Sequence, residues 1–349
     1  MTGRINIAVI GAGVIGKRHV HEIAHNDACR LAAIADPTPE AAAYADTLNV
    51  PYYCDYREAL ARGDVDAAIV CTPNHTHLEV GLACIGHQLP LLMEKPIADD
   101  IDSARKLADA ATAVGVALLV GHHRRHNPSV RAVKEAIEGG RIGKLVMANI
   151  MCLMYKPDAY FEVPWRRQPG GGPVLINLIH EIDLLRHLCG EIVAVQAVAS
   201  NGTRGHEVED SAACTLTLAN GALANISLSD TTSAPWSWET TAGEDRALFD
   251  YRPVPTHFFA GTDGALTLPD LALWSYRAKK GRDQPIQETR LPMVEENVYA
   301  AQLRHFLDVV RGDARPVIDG HDAARTLAAT LAVVEAARTA RPATPLFVQ

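Results

Sequence analysis

The feature that most restricts how this chain can fold is a glycine-rich segment close to its start. A strand-like run, Ile5–Ile10, leads directly into Gly11-Ala12-Gly13-Val14-Ile15-Gly16, which opens a helix-length segment. In such a unit the first glycine permits a tight turn, the second lets a pyrophosphate approach the backbone, and the third allows close helix packing. The helix N-terminus adds amide donors and the positive end of a dipole. The segment therefore predicts an α/β sheet whose first turn binds a dinucleotide.

An acidic residue follows at the spacing that this turn requires. Asp36 ends the second strand-like run, where a carboxylate accepts hydrogen bonds from the adenosine ribose hydroxyls. Its charge would repel a 2′-phosphate, so Asp36 favours NAD over NADP. The alternative is a glycine turn in another kind of α/β protein, with Asp36 capping a helix. The expected cofactor contacts of this region are Gly11, Gly13, Val14, Ile15, Gly16 and Asp36.

The first third of the chain alternates between short apolar runs and helix-length segments. The apolar runs are 5–10, 31–35, 67–71, 89–93 and 116–120, and the helical segments are 16–28, 40–48, 77–86 and 101–115. Short apolar runs bounded by Gly, Pro, Asp or Asn are typical of parallel strands covered on both faces. Residues 1–122 are therefore expected to form a doubly wound parallel sheet of the Rossmann type.

The pattern changes over residues 123–349. Strand-like runs at 146–154, 192–200, 211–218 and 222–229 include a hairpin signal at Asn220-Gly221, and a second turn signal, Asp263-Gly264, precedes 265–268. Helices are expected at 128–138, 178–188, 296–311 and 321–338. This half predicts an α+β domain built on a mostly antiparallel open sheet. A sheet with one face uncovered usually needs a partner, so a homodimer or homotetramer is expected.

Composition excludes several classes of protein. A chain of 349 residues exceeds one ordinary core, and its net charge of −8 without runs of like charge argues against a nucleic-acid partner. No apolar stretch approaches the length of a membrane span, and the apolar run at the N-terminus is too short for a signal peptide. The seven cysteines are scattered, without a C-x-x-C spacing. This cysteine usage is typical of reduced thiols and predicts a cytoplasmic protein. Together with the charge and the lack of a long apolar stretch, it predicts a protein that binds neither membrane nor nucleic acid.

The tripeptide Glu94-Lys95-Pro96 ends the fourth apolar run. A lysine at the carboxyl end of a parallel strand lies where open α/β sheets bind ligands. Its ammonium, once desolvated, can stabilise negative charge that develops on a substrate oxygen. The alternative is a surface lysine followed by a proline, and the tripeptide alone favours that alternative. The nucleotide fingerprint before Lys95 and a histidine-bearing helix after it favour the functional interpretation.

A second polar segment, Thr72-Pro73-Asn74-His75-Thr76-His77, stands at a strand-to-helix junction. Thr72 and Asn74 are expected to bond the ribose or the phosphates of the cofactor, and His77 to begin the helix. His75 and His77 do not share a helical face at this spacing, so zinc is not expected there. In a further group, His122, His123 and His126, the intervening arginines disfavour a metal.

Together these segments resemble the Gfo/Idh/MocA family of NAD(P)-dependent sugar and inositol oxidoreductases over nearly the whole chain. The resemblance rests on Gly11 to Gly16 with Lys17 and His19, Thr72-Pro73-Asn74 with His77, Glu94-Lys95-Pro96, Gly121 with Arg124-Arg125 and Asn127-Pro128, and Gly170-Gly171-Gly172 leading to His180. It implies that Pro73, His77, Glu94, Lys95 and His123 also belong to the cofactor site.

The expected second part of the site is the helix that carries His180 and Asp183, which lie three apart on one face. The resemblance implies that His180 takes the hydroxyl proton, a role that suits an imidazole titrating near neutrality. The alternative is that His180 caps the helix and Asp183 pairs locally. The family commonly has an aspartate four residues before the histidine, where this chain has Ile176, so Asp183 is expected to orient or polarise His180.

The resulting prediction is an NAD-dependent oxidoreductase that moves a hydride between nicotinamide and a secondary alcohol of a sugar, cyclitol or related polyol. The expected catalytic residues are Lys95, His180 and Asp183. The expected substrate contacts are Lys95, Arg124, Tyr155, Trp165, Arg166, Asn177, His180 and Asp183, without a metal. Two alternatives stay open: a redox-neutral hydrolase or hydratase that retains NAD, which Ile176 favours, and a non-catalytic dinucleotide sensor.

Overall fold

The computed structural model describes residues 3–346, which divide into two compact units. The first unit comprises the chain up to His126 together with Asn297–Leu327, and the second comprises Asn127–Glu296 together with residues 328–346. The first unit is therefore assembled from two stretches that are far apart in sequence. The division into domains at 1–122 and 123–349 stays a prediction.

The strands and helices follow one another with short connections. In chain order the strands are β1 (Ile5–Ile10), β2 (Cys29–Ala35), β3 (Tyr52–Tyr53), β4 (Ala67–Val70), β5 (Leu91–Met93), β6 (Leu118–Val120), β7 (Leu145–Leu153), β8 (Ile192–Ser200), β9 (Ser211–Leu218), β10 (Leu223–Ser229), β11 (His257–Gly261), β12 (Gly264–Leu268), β13 (Ala272–Tyr276) and β14 (Ile286–Arg290). The helices are α1 (Val14–Ala24), α2 (Pro39–Thr47), α3 (Tyr56–Leu60), α4 (His77–Gly86), α5 (Ile101–Val114), α6 (Pro128–Glu138), α7 (Ile179–Cys189), α8 (Trp238–Thr241), α9 (Val298–Arg311) and α10 (Gly320–Thr339).

The first unit is built on a six-stranded parallel sheet in the order β3-β2-β1-β4-β5-β6. Its central strands are almost entirely buried because their residues are Ile, Val, Ala and Leu on both faces. The strand order reverses between β1 and β4, and open α/β sheets bind their ligands at such a switch point. The doubly wound Rossmann sheet predicted from the sequence is confirmed.

Helix ends in this unit show why the chain turns where it does. The carboxylate of Asp100 accepts a hydrogen bond from the Ser103 amide at the start of α5, and Gly115 ends that helix with φ of +69°. In the second stretch of this unit, the Asn297 side chain caps α9 by accepting hydrogen bonds from the amides of Tyr299 and Ala300. These caps satisfy amides that the first turn of a helix leaves without partners.

The second unit is built on an eight-stranded sheet in the order β14-β13-β12-β11-β7-β10-β9-β8. Neighbouring strands run antiparallel except β7 and β10, which are parallel. One face carries the core, where Ile150, Leu216 and Ile226 pack with apolar residues of α6, α7 and the end of α10. The predicted mostly antiparallel sheet is confirmed, and Gly221, with φ of +83°, lies in the turn between β9 and β10.

Four strands were not predicted, and each has a physical reason. β3 has only two residues, and β14 is exposed throughout, because its Gln, Glu, Thr and Arg side chains bury no apolar face. The strands β11 and β13 are only five residues long. The predicted helix at 178–188 is preceded by a π-helical turn over Val174–Leu178, which periodicity does not reveal.

Candidate active site

The glycine loop between β1 and α1 has the backbone that the fingerprint requires. Gly11 has φ of +92°, and a Cβ there would lie 2.6 Å from the carbonyl group of Cys71. A Cβ on Gly16 would lie 1.9 Å from the Gly11 carbonyl oxygen, so α1 packs directly against the loop. At Gly13, just before α1, a Cβ would meet no described atom within 4 Å. The loop therefore has room for a pyrophosphate beside the first amides of α1.

Asp36, which is predicted to bind the ribose, also supports this loop. Its Oδ2 accepts a hydrogen bond from the Ala12 amide at 2.8 Å, and its Oδ1 accepts from the Thr38 amide at 2.9 Å and the Thr38 hydroxyl at 2.6 Å. A carboxylate has about four lone-pair positions, so it retains capacity for ribose hydroxyls. Val14 and Ile15, also expected to contact the cofactor, begin α1 with exposed and half-buried side chains.

The segment after β4 contains one buried and two exposed members of the predicted site. Pro73 and Asn74 are exposed, whereas His77 is completely buried. The His77 ring nitrogens lie 2.8 Å from the Pro96 carbonyl and 2.9 Å from the Thr72 carbonyl. Burial lowers the pKa of His77, although these carbonyls favour the charged ring. His77 thus connects two backbone segments, and its predicted contact with the cofactor stays a prediction.

Glu94 follows the last residue of β5, and its buried carboxylate is held by hydrogen bonds within the first unit. Its Oε1 lies 3.1 Å from Nε2 of the buried His19, and its Oε2 accepts from the Lys95 amide at 3.2 Å. Burial raises the pKa of Glu94, but the hydrogen bond and charge of His19, followed by His123 and Lys95, lower it below its ordinary value. A Cβ on Gly121 would lie 2.8 Å from Glu94 Oε1, so glycine is needed there. This arrangement fixes the backbone that carries Lys95.

Lys95 follows β5 and Glu94 and is half-buried.

Tyr299, near the start of α9, belongs to the same unit and was not predicted from the sequence. Its ring stacks on His123 with centroids 4.9 Å apart and a tilt of 17°, and the Arg18 guanidinium lies 4.9 Å from its centroid. His19 makes an edge contact with Tyr299 at 6.1 Å. The stack fixes His123, which was predicted to contact the cofactor.

The basic residues that follow His123 are buried. Arg125 donates hydrogen bonds to the Asp322 carboxylate at 2.6 Å and to the Val317 carbonyl at 3.0 Å. The side chain of Arg125 is thus hydrogen-bonded to residues at and just before the start of α10. Arg124 is only 3% exposed, and its expected contact with substrate stays a prediction.

In the second unit, α7 carries the predicted base. His180 and Asp183 are both buried, with 8% and 1% of their surfaces exposed. Between them, Glu181 points to the sheet, where its Oε2 lies 2.7 Å from Nε2 of His257 on β11. Both members of this pair are fully buried. The pair anchors α7 against the sheet and so fixes the helix that carries His180.

The π-helical turn before α7 brings Asn177, an expected substrate contact, against Lys156, which the sequence did not reveal. Asn177 accepts a hydrogen bond from the ammonium of Lys156 at 2.7 Å, and Asp230 lies 3.4 Å from the same ammonium. Burial lowers the pKa of Lys156, while Asp230 raises it. One signal was present, since Lys156-Pro157 follows a strand just as Lys95-Pro96 does. The tertiary contact with Asn177 could not be read from that signal.

The predicted aromatic and basic residues of the loop before α7 lie on the surface of the second unit. Tyr155 and Trp165 are exposed, and Arg166 lies over the ring of Tyr160 at 3.9 Å. Tyr155 borders an open cleft of about 360 Å³. The cleft is lined by Tyr155, Asp158, Thr203, Arg204, His206 and Thr231. The structure does not place Trp165 in that lining.

Within residues 3–346, no three His, Cys, Asp or Glu side chains are grouped as a metal site requires. The helices of the same residues include none that is both long and apolar enough to cross a membrane.

Comparison with known proteins decides the family. Residues 5–122 match the model of the oxidoreductase family with an NAD-binding Rossmann fold, and residues 130–249 match the GFO/IDH/MocA C-terminal domain. The chain belongs to the Gfo/Idh/MocA family. This family member is therefore an oxidoreductase with an NAD-binding Rossmann domain, while the contacts of the glycine loop and Asp36 with the dinucleotide stay predictions.

Two curated relatives extend the match. The 1,5-anhydro-D-fructose reductase of Ensifer adhaerens is 32% identical over 291 residues, which cover 82% of this chain and 81% of the relative. The inositol 2-dehydrogenase of Rhizobium meliloti (strain 1021) is 32% identical over 232 residues, which cover 64% of this chain and 68% of the relative.

Solved structures share the fold at lower identity. The WlbA dehydrogenase from Bordetella pertussis, crystallised with NADH and UDP-GlcNAcA, has a TM-score of 0.80 at 23% identity and covers 99% of this chain and 100% of its own. An oxidoreductase from Agrobacterium radiobacter, crystallised with NAD⁺, L-tartaric acid and magnesium, has a TM-score of 0.81 at 20% identity and covers 98% of each chain. At these identities the likeness concerns the fold.

Proposed function

We propose that this protein is an NAD-dependent dehydrogenase that acts on a secondary alcohol of a sugar, cyclitol or related polyol. Bound NAD supplies the hydride acceptor or donor, and the protein supplies position, charge and proton transfer. The observation that carries the proposal is Lys95 at the end of β5, on a backbone held by the buried Glu94–His19 pair.

The role proposed for Lys95 is electrostatic. An ammonium at the carboxyl end of a strand can stabilise the negative charge that develops on the alcohol oxygen as its proton leaves. Glu94 supports this role because its carboxylate binds the Lys95 amide and favours a charged lysine. Gly121 provides the space in which Glu94 lies, since a Cβ there would be 2.8 Å from Glu94 Oε1.

Transfer of the proton of the substrate hydroxyl is assigned to His180. An imidazole accepts a proton near neutral pH and returns it in the reverse direction, so one residue serves both directions of the reaction. Asp183, three residues further along α7, is proposed to orient or polarise the His180 ring. The family's usual carboxylate is replaced by Ile176, which makes Asp183 the residue of α7 best suited to this role.

The first experiment follows NADH absorbance while inositols, aldoses and sugar acids are supplied with NAD. Lys95→Ala and His180→Ala are each expected to lower turnover by about 10²-fold or more, the usual contribution of such groups. Lys106→Ala and His87→Ala, at exposed positions of the first unit, are the controls. Turnover within a few-fold of the parent in both site variants would contradict the catalytic assignment.

Cofactor choice has its own test. Asp36→Asn keeps an acceptor for the Ala12 amide but removes the negative charge. Affinity for NAD is expected to fall and affinity for NADP to rise, which calorimetry on the purified protein would measure. An unchanged NAD to NADP ratio would show that Asp36 serves the loop alone.

Ile176 also supports a second candidate, a redox-neutral enzyme that keeps NAD and returns the hydride to the same substrate. Such an enzyme would purify with bound NAD and convert substrate without net NADH formation. Product analysis by mass spectrometry beside the absorbance assay separates the two candidates.

A further inference from the structure

Two basic side chains of the second unit flank one aromatic ring. The ammonium of Lys156 lies 4.9 Å from the ring centroid of Tyr160, and the guanidinium carbon of Arg166 lies 3.9 Å from it. All three residues belong to the connection between β7 and α7. A cation over an aromatic ring is stabilised by the electron density of the ring, more so where water is excluded. The ring therefore gathers two positive charges in one place although they repel each other.

Lys156 is 8% exposed and has donor capacity beyond its protein contacts. Within the described chain its ammonium donates to Asn177 at 2.7 Å and pairs with Asp230 at 3.4 Å. An ammonium carries three N–H donors. One donor is thus left for an acceptor that residues 3–346 do not supply.

Arg166 shows the same excess of donors. One terminal nitrogen donates to the Tyr160 carbonyl at 2.8 Å. Its Nε is buried and has no hydrogen-bond partner among residues 3–346. Buried polar atoms almost always have a partner, so this donor points to an acceptor from outside the chain.

The local charge balance favours an anion as that acceptor. The Asp230 carboxylate, which pairs with Lys156, also lies 3.4 Å from the guanidinium of Arg204. Lys156 and Arg204 therefore share the Asp230 carboxylate, Arg204 also pairs with the exposed Asp158 at 3.2 Å, and Arg166 forms no ion pair within residues 3–346.

We propose that Lys156 and Arg166 form an anion subsite that binds a carboxylate of the substrate. The inference rests on the proposed function and narrows its substrate to a sugar acid or a carboxylated cyclitol. Asn177, bound to Lys156, precedes the proposed base His180 by three residues. The subsite therefore adjoins the helical turn that carries His180, and it positions the substrate without entering the proton transfer.

The test compares neutral and acidic sugars that differ in one group. Calorimetry measures binding of D-glucuronate, D-glucose, D-galacturonate and D-galactose to the NAD-loaded protein, and the NADH assay measures turnover. Each uronate is expected to bind about tenfold or more tightly than its neutral partner, as a charge-assisted hydrogen bond allows. Lys156→Met and Arg166→Met are expected to remove that preference by raising KM for the uronates more than for the neutral sugars. Arg167→Met, at the exposed neighbouring position, is the matched control.

Each outcome of this experiment supports or overturns the anion subsite. Equal binding of acid and neutral sugar, absence of uronate binding, or equal loss for both sugars in the variants would overturn the subsite. Restoration of the preference by Lys156→Arg would support a charge role over a purely structural one. If the uronates bind with the expected preference but no sugar yields NADH, the dehydrogenase proposal fails while the subsite stands.

Discussion

At the scale of single residues, the position of Lys95 depends on side chains that carry no chemistry themselves. Glu94 binds the Lys95 amide, His19 binds Glu94, and Gly121 provides the space in which Glu94 lies. The sequence motif shows the first of these neighbours because it is adjacent in the chain. His19 and Gly121 meet Glu94 only through the fold.

Gly121→Ala tests this dependence. The added Cβ would lie 2.8 Å from Oε1, 2.9 Å from Cδ and 3.1 Å from Cα of Glu94. Because one of these atoms is backbone, we expect a loss of about 1–3 kcal/mol in the free energy of unfolding, the usual result of overpacking. Urea unfolding measures the loss, and NADH formation is expected to fall with it. Gly86→Ala, where a Cβ meets no described atom within 4 Å, should change the unfolding free energy by less than about 0.5 kcal/mol.

At the scale of elements, α7 and β11 are joined by the buried pair of Glu181 and His257. Trp238 packs edge-on against the His257 ring at 5.6 Å, and Thr256 bonds its other nitrogen at 2.9 Å. The ring is thus enclosed on several sides. A buried pair of this kind contributes little net stability when intact, but removal of one partner is costly.

His257→Leu is therefore expected to destabilise the protein by about 3–5 kcal/mol, because the buried Glu181 carboxylate would lose its hydrogen bond and ion pair with His257. The double variant with Glu181→Leu should recover much of that loss. Urea unfolding of the two single variants and the double variant measures the coupling. If the losses of the single variants simply add in the double variant, the pair is not the link between α7 and the sheet.

The strands and helices also show which parts of the fold and of the site can be predicted from the sequence. The strands of the parallel sheet were found because their apolar residues are continuous, and Asn220-Gly221 located a hairpin because its turn demands those residues. The edge strand β14 was missed because every one of its residues is exposed. The glycines and Asp36 were recognisable from local spacing. Lys156 and Tyr299 were not, because their partners Asn177, Asp230 and His123 are distant in sequence.

At the scale of the whole molecule, a distant segment completes the first unit. Asn297, which caps α9, also donates to Glu22 on α1 at 3.1 Å, and Tyr299 stacks on His123. Chain order alone would assign α9 to the second half. The return of this segment explains why the nucleotide-binding unit cannot be cut out by a single boundary in the sequence.

The open sheet of the second unit leads to the last prediction, the oligomeric state. Apolar residues of α6, α7 and α10 pack on one face, while Asn149, Thr215 and Asn225 form a hydrogen-bonded row of exposed side chains on neighbouring strands. We expect copies of the chain to associate through this row, as a homodimer or homotetramer. Light scattering should then give two or four times the protomer mass of 37.6 kDa.

Asn225→Lys places a charge in the middle of that row and should shift the measured mass toward the protomer, since like charges meet across a symmetric interface. Ala43→Lys, at an exposed position of α2 in the first unit, is the control and should leave the mass unchanged. A parent protein that scatters as a single protomer would remove the association itself. An oligomer that persists in Asn225→Lys would place the contact on another surface, and the exposed row would then be a solvated face of the sheet.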